Sequence, residues 1–359
     1  MRKIRLISAL IFLGFIGNAQ IPPGYYNATT GLTGYPLKTA LKTIITNGHT
    51  DRGYGNLYTG YMTADADNFY DNDGSVLDMY SENPTGVDNY FYTHNNRKCG
   101  NYNSEDDCYN REHLMPQSVF SSASPMKNDI HFVVPSDGYV NGQRSNLPFG
   151  EVTSTTWTSQ NGSKKGPCSF PGYSNLVFEP IDEFKGDIAR CMLYFATRYE
   201  SQVSSWSWGP LNGTSTQVYD QWFVNLLVKW HLQDTVNQRE IVRNNASYTY
   251  QGNRNPYIDH PEWVTQIWTS TLTNISIKEE RLFHLSIFPN PTVNHSASIT
   301  NDFPIDKVSI YTILGKEISE YTLQKKSSNS IEISGLPAGV LLLKVASKES
   351  TAVKKLVVQ

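Results

Sequence analysis

An α+β domain followed by a small all-β sandwich is the fold class that the sequence predicts, and three observations predict it. Apolar residues recur at helical spacing in several separate segments before residue 270. Among them lies a polar-rich stretch, residues 110–150, whose two short apolar runs and following helix cap read as strand, strand, helix. From about residue 275 the pattern changes to short alternating strands such as KVSIYTI, NSIEISGL and VLLLKVAS between turn residues.

With 359 residues the chain is long enough for two domains, each able to fold without cross-links. The first residues, MRKIRLISALIFLGFIGNA, combine a basic start, an apolar run and small residues. They read as a signal peptide, residues 1–19, too short in its apolar part for a membrane anchor. Domain boundaries are therefore expected at 20–274 and 275–359. No internal segment is apolar for the length a membrane helix needs. Loss of Arg2, Lys3 and Arg5 with the signal takes the formal net charge from −3 to −6. Tight nucleic-acid binding by bulk charge is excluded by that balance, so any phosphate contact has to come from local basic residues and a cation.

Export favours disulfides for the four cysteines. Cys99 and Cys108 flank a polar loop and are expected to brace the entry to the central stretch, which leaves Cys168 to pair with Cys191. Zinc held by Cys99, Cys108 and a histidine is the competing reading, but the spacing is long for it.

In chain order, Leu37, Leu41, Ile44 and Ile45 predict a first amphipathic helix. Residues 52–96 read as turns with short strands, such as 75–80, and the acidic tract DADNFYDNDG reads as a solvated loop rather than a calcium site. Within the central stretch, Leu114-Met115 and residues 130–134 are the expected strands. Pro135 ends the second, and Ser136 or Asp137 caps a helix reaching about residue 146. Residues 151–174 read as loop. Helices follow at about 187–202 and 218–231, a third starts near 238, and the run GNRNPYIDHPEW closes the domain.

The central stretch also carries chemistry. Phosphodiester cleavage needs a base for water, a cation or other positive charge for the developing oxyanions, and a phosphate donor. His113 can take a proton near neutral pH, Glu112 and Asn141 offer hard oxygen ligands, and Arg144 offers a planar fork. Asn141 and Arg144 share a helix face. Glu112 and His113 are neighbours, so they reach one site only if the strand is irregular there. On residue chemistry alone, a Glu-His pair beside a polar helix is more often ordinary surface than a site.

Together, NREHLMPQS and DIHFVVPSDGYVNGQRSN resemble the bacterial endonuclease I family over roughly residues 36–268. That resemblance implies a ββα-metal (His-Me finger) core with surrounding helices. It also implies His113 as general base, Glu112 and Asn141 as metal ligands, and Arg144 as the phosphate contact. Two positions depart from the family pattern. Met115 stands where tryptophan is common, and Phe132 stands where His or Asn often orients the base. A backbone carbonyl or another side chain must then hold His113. His131 is expected to be a structural histidine, Arg97, Lys98 and Arg111 to line a substrate groove, and Asn253, Arg254, Asp259 and His260 to form a polar network.

FPNP at 288–291, LPAGVLLLKV and the basic end KKLVVQ resemble the sorting domains that Bacteroidetes-type bacteria append to cargo of the type IX secretion system. The expectation is a secreted, monomeric, sequence-nonspecific endonuclease using Mg²⁺, with Mn²⁺ or Ca²⁺ as alternatives. Its expected partners are DNA, with RNA as a second substrate, and the secretion machinery, and its expected products carry a 5′-phosphate. The competing readings are a nuclease relative that only binds nucleic acid or matrix, and a phosphatase on the same site.

Overall fold

The computed structural model describes residues 21–269, 286–301, 304–312, 317–322, 329–346 and 351–358. The expected signal peptide lies outside them. By its internal contacts the chain divides into two units, 1–272 and 273–359. The first mixes helices with small sheets and the second is built of antiparallel strands, so the fold is α+β with an all-β C-terminal region. Among the described residues no helix is long and apolar enough to cross a membrane.

In the first unit, helix α1 (Gly34–Thr46) buries Leu37, Leu41 and Ile45. A second helix, α2 (Leu57–Ala64), occupies a stretch expected to hold only turns and strands. Its buried Leu57, Gly60, Tyr61 and Ala64 do follow helical spacing, but Gly, Tyr and Thr dilute the hydrophobic signal. Residues 75–80 form no strand and make one isolated bridge, Ala66 to Val76. The acidic tract is a turn tied by Asp67, whose carboxylate accepts the amides of Phe69, Tyr70 and Asp71.

The strand pair is β1 (Tyr109–His113) and β2 (Val133–Asp137), antiparallel, with Glu112 opposite Val134 and His113 opposite Val133. The first strand thus precedes Leu114-Met115. Pro135 does not end the second strand but lies within it, opposite Arg111. That is permissible because the sheet has only two strands, so β2 keeps a free edge and the missing N–H costs no ladder bond on that side. Helix α3 (Gly138–Arg144) follows directly, with Asp137 as its cap accepting the Val140 amide at 2.9 Å.

Residues 151–174, expected to be loop, contribute to a three-stranded sheet of β3 (Trp157–Thr158), β4 (Lys164–Pro167) and β5 (Leu176–Glu179). Helix α4 (Lys185–Arg198) is buried on every side from Gly186 onward, so its charged residues are paired. Arg190 bonds Glu240 at 2.5 and 2.7 Å, and Asp187 pairs with Arg239. Against it pack α1, α5 (Gln221–Gln233) and α7 (Pro256–Asp259), those ion pairs join it to α6 (Gln238–Gln251), and α8 (Glu262–Trp268) packs on α1, α5 and α7. The interior residues expected of α5, from Trp222 to Trp230, are all buried.

Cys99 and Cys108 form a disulfide with Cα atoms 5.6 Å apart. The expected Cys168–Cys191 pairing does not form, and both are buried free thiols. Cys191 sits within the enclosed helix α4, and burial pushes its thiol up to about 12.

In the second unit, β6 (Ser286–Phe288), β7 (Ser296–Thr300) and β10 (Ser330–Ser334) make one sheet. The other holds β8 (Lys307–Thr312), β9 (Glu317–Thr322), β11 (Gly339–Ala346) and β12 (Thr351–Val358). Ile299 and Ile333 from the first sheet share one core with Val308, Ile310, Leu341, Leu343, Val345 and Leu356 from the second. Asn290 of the FPNP motif ties down β12, donating to the Lys355 carbonyl and accepting the Val357 amide.

Candidate active site

A pocket of about 290 Å³ opens between the end of β1, helix α3 and the disulfide loop. It brings together Glu112, His113, Asn141 and Arg144, the four residues singled out in the sequence, with Asn110 and Arg111 beside them. Glu112 and His113 both reach it because His113 is the last residue of β1, where the regular strand stops.

His113 is 4% exposed. Its Nε2 lies 3.1 Å from the Lys127 carbonyl. A carbonyl only accepts, so Nε2 carries the ring proton and Nδ1 keeps its lone pair. Burial pushes the imidazole down to about 4, which makes it neutral at physiological pH. Phe132 packs where a polar orienting group was absent from the sequence, its ring 4.8 Å from that of Phe195 and 6.5 Å from the imidazole. The Lys127 carbonyl takes over the orientation, and Tyr54 stacks on the ring at 5.8 Å. His131 is not involved. It is buried, and its Nε2 bonds the Asn253 carbonyl.

Glu112 is 2% exposed and accepts the Tyr80 hydroxyl at 3.0 Å. Burial pushes its carboxyl up to about 7, against the pull of Arg144. Asn141 donates its Nδ2 to Asn110 Oδ1 at 2.7 Å, which leaves its own carbonyl oxygen for another partner.

Arg144 is placed otherwise than expected. It is 1% exposed and donates to the carbonyls of His113, at 2.8 Å, and of Leu114. Its Nη1 also lies 3.2 Å from Glu112. Both ends of the fork are taken by the chain itself, so Arg144 clamps the strand end that carries Glu112 and His113. Arg111 is less enclosed: it is half-buried, its Nη1 donates to the Tyr54 carbonyl at 2.9 Å, and its guanidinium lies 3.5 Å from the Tyr54 ring centre and 4.6 Å from that of Tyr58.

A family model described as endonuclease I matches residues 33–262. The chain belongs to the endonuclease I family. A secretion-system C-terminal sorting domain matches residues 286–359. The chain is 34% identical to an extracellular ribonuclease of Bacillus amyloliquefaciens over 68% of this chain and 78% of that protein. Its identity to an extracellular ribonuclease of Bacillus subtilis (strain 168) is 32%, with the same shares covered. Endonuclease-1 of Buchnera aphidicola subsp. Baizongia pistaciae is 28% identical over 37% of this chain and 46% of that protein. This endonuclease I family member is therefore a secreted nuclease.

Other parts of the pocket had no motif to announce them. Tyr102, inside the disulfide loop, lies so close to α3 that a Cβ on Gly142 would meet its hydroxyl at 2.5 Å and one on Gly138 its ring at 2.6 Å. Tyr54, Tyr80 and Asn110 also hold functional side chains. Only Asn110, which opens the NREH run, carried a signal by position. Asn253, Arg254, Asp259 and His260 do not line the pocket. Asn253 bonds Tyr194, Arg254 pairs with Asp259, and His260 stacks on Trp263. Among the described residues no three His, Cys, Asp or Glu side chains are grouped to hold a metal ion. A cation in the pocket would have one carboxylate, Glu112, and the side-chain Oδ1 of Asn141 as protein ligands. That sparse, hard-oxygen set suits an ion that keeps much of its water.

Proposed function

We propose that this secreted nuclease is a metal-assisted, sequence-nonspecific endonuclease that cleaves phosphodiester bonds of RNA and DNA to leave 5′-phosphates. The supporting observation is the meeting in one pocket of a neutral, oriented histidine with the Glu112 and Asn141 oxygens. His113 Nδ1 takes the proton of the attacking water, and the Lys127 carbonyl stabilises the charged ring that results. Glu112 and Asn141 hold Mg²⁺, with Mn²⁺ or Ca²⁺ belonging to the same hard-ligand class. The bound ion supplies positive charge for the developing phosphoryl and leaving-group oxygens. Arg111, stacked on Tyr54 and lining the pocket, contacts the phosphate in place of Arg144. Both nucleic acids are proposed as substrates because the similar proteins include two named ribonucleases and one named endonuclease-1.

The test is a cleavage assay on plasmid DNA and on RNA, with and without chelator. Wild-type protein cleaves both in Mg²⁺ and neither in EDTA, and His113→Ala loses activity at least about 10³-fold while keeping its circular dichroism spectrum. Undiminished cleavage in EDTA removes the cation, and an active His113→Ala removes His113 as base.

A further inference from the structure

Beside the catalytic pocket lies a second, open cleft of about 420 Å³. Asn146, just past the end of α3, lines both, so the two adjoin there. The cleft has an aromatic and aliphatic floor. Tyr173 and Trp208 are half-buried and Leu176 is 45% exposed. Both rings are held from behind: Tyr173 stacks on Trp222 at 4.2 Å, and Trp208 meets Phe223 edge-on at 5.8 Å. Trp208 also donates its Nε1 to the Asn146 carbonyl at 2.9 Å, which ties the cleft to the end of α3. At the rim stand the exposed carboxamides of Asn146 and Asn175. No charged residue lines it.

That composition selects an occupant. A phosphate needs cations to offset its charge and the cleft has none, whereas a flat, uncharged ring with polar edges suits aromatic faces bordered by carboxamides. We infer that this cleft is a nucleobase subsite, which stacks a base of the strand whose backbone lies in the catalytic pocket. The inference rests on the nuclease reading of that pocket and names its preferred substrate. A base can enter only after leaving its own stack, so unpaired strands bind better than duplex. Stacking tolerates every base, and the subsite therefore adds affinity without sequence preference.

The test compares two substrates in Mg²⁺: a single-stranded oligonucleotide, which reaches the cleft, and bis(p-nitrophenyl) phosphate, which fills the catalytic pocket alone. Trp208→Leu is expected to lower the ratio of kcat/KM for the oligonucleotide to that for the small diester about tenfold, through KM, while Trp208→Phe keeps it within about twofold. An unchanged ratio in Trp208→Leu overturns the subsite. So does an equal fall in Trp208→Phe, which would assign Trp208 to holding Asn146 instead. If either Trp208 variant fails to fold, Tyr173→Leu against Tyr173→Phe is read in the same way. Wild-type protein inactive on both substrates refutes the nuclease reading, and the subsite falls with it. Activity on both, without the aromatic effect, refutes the subsite alone.

Discussion

Arg144 and Arg111 divide between them what a single arginine was expected to do. Both border the pocket, but Arg144 is enclosed and bonded to two carbonyls and to Glu112, whereas Arg111 is half-buried on tyrosine faces. Arg144→Met leaves Glu112 buried without its cation. It is expected to lower stability by about 3–5 kcal/mol, read from the urea midpoint at constant m-value. Arg111→Met is expected to cost about 1 kcal/mol or less in stability yet to slow cleavage about 10²-fold. If Arg144→Met unfolds at the wild-type midpoint, the clamp is misassigned. Residue type and helix spacing showed that Arg144 faces the site. They could not show which acceptors would occupy it, because the carbonyls of His113 and Leu114 are placed by the chain's path and not by its composition.

At the scale of elements, the strand-strand-helix unit is steadied by a loop that contributes no catalytic group. The disulfide between Cys99 and Cys108 fixes the loop from which Tyr102 packs on the two glycines of α3. Replacing both cysteines by serine is expected to lower stability by about 2–3 kcal/mol and to reduce cleavage more than it reduces folded protein at assay temperature. Thermal melting and active-fraction measurements on the same samples check this, and a variant that melts earlier but is fully active when folded would limit the loop to stability. Segment 110–150 was legible because its motifs are local. Helix α2 was not, since Gly60 and Tyr61 sit on its buried face and read as turn residues. Strands β3 and β4 hold few apolar residues and β5 is apolar but only four residues long, so their mutual pairing makes them strands.

For the whole molecule, burial of ionisable groups ties stability to pH. His131 and His231 are both held down at about 4 by burial, against about 6.5 in an unfolded chain. Above pH 6.5 both are neutral in either state. As pH falls from 6.5 to 4 the unfolded chain takes up their protons and the folded chain does not, so up to roughly 3 kcal/mol of stability is lost per histidine. Asp78, pushed up to about 7 by burial, acts in the opposite sense, so the effect is read as a difference. His231→Gln cannot charge, and its stability relative to wild type is expected to rise as pH drops through that window. A parallel pair of stability curves would exclude the effect. A chain ending at Leu272, where the first compact unit ends, is expected to keep full nuclease activity and to lose export. Retained secretion would exclude the C-terminal unit as the sorting element.

Periodicity and local motifs were enough for the α+β class, the all-β end and the segment from which Glu112, His113 and Asn141 meet in one pocket, because each depends on neighbours within a few turns of chain. Whatever depends on contacts between distant segments was decided by the tertiary structure. Lys127 and not residue 132 orients His113, Arg144 is consumed by the backbone, and Cys168 and Cys191 stay apart. The aromatic cleft, too, exists only where residues 146, 173 and 208 meet. A one-dimensional pattern records which groups are present; which of their donors and faces remain free is settled only after packing has used the rest.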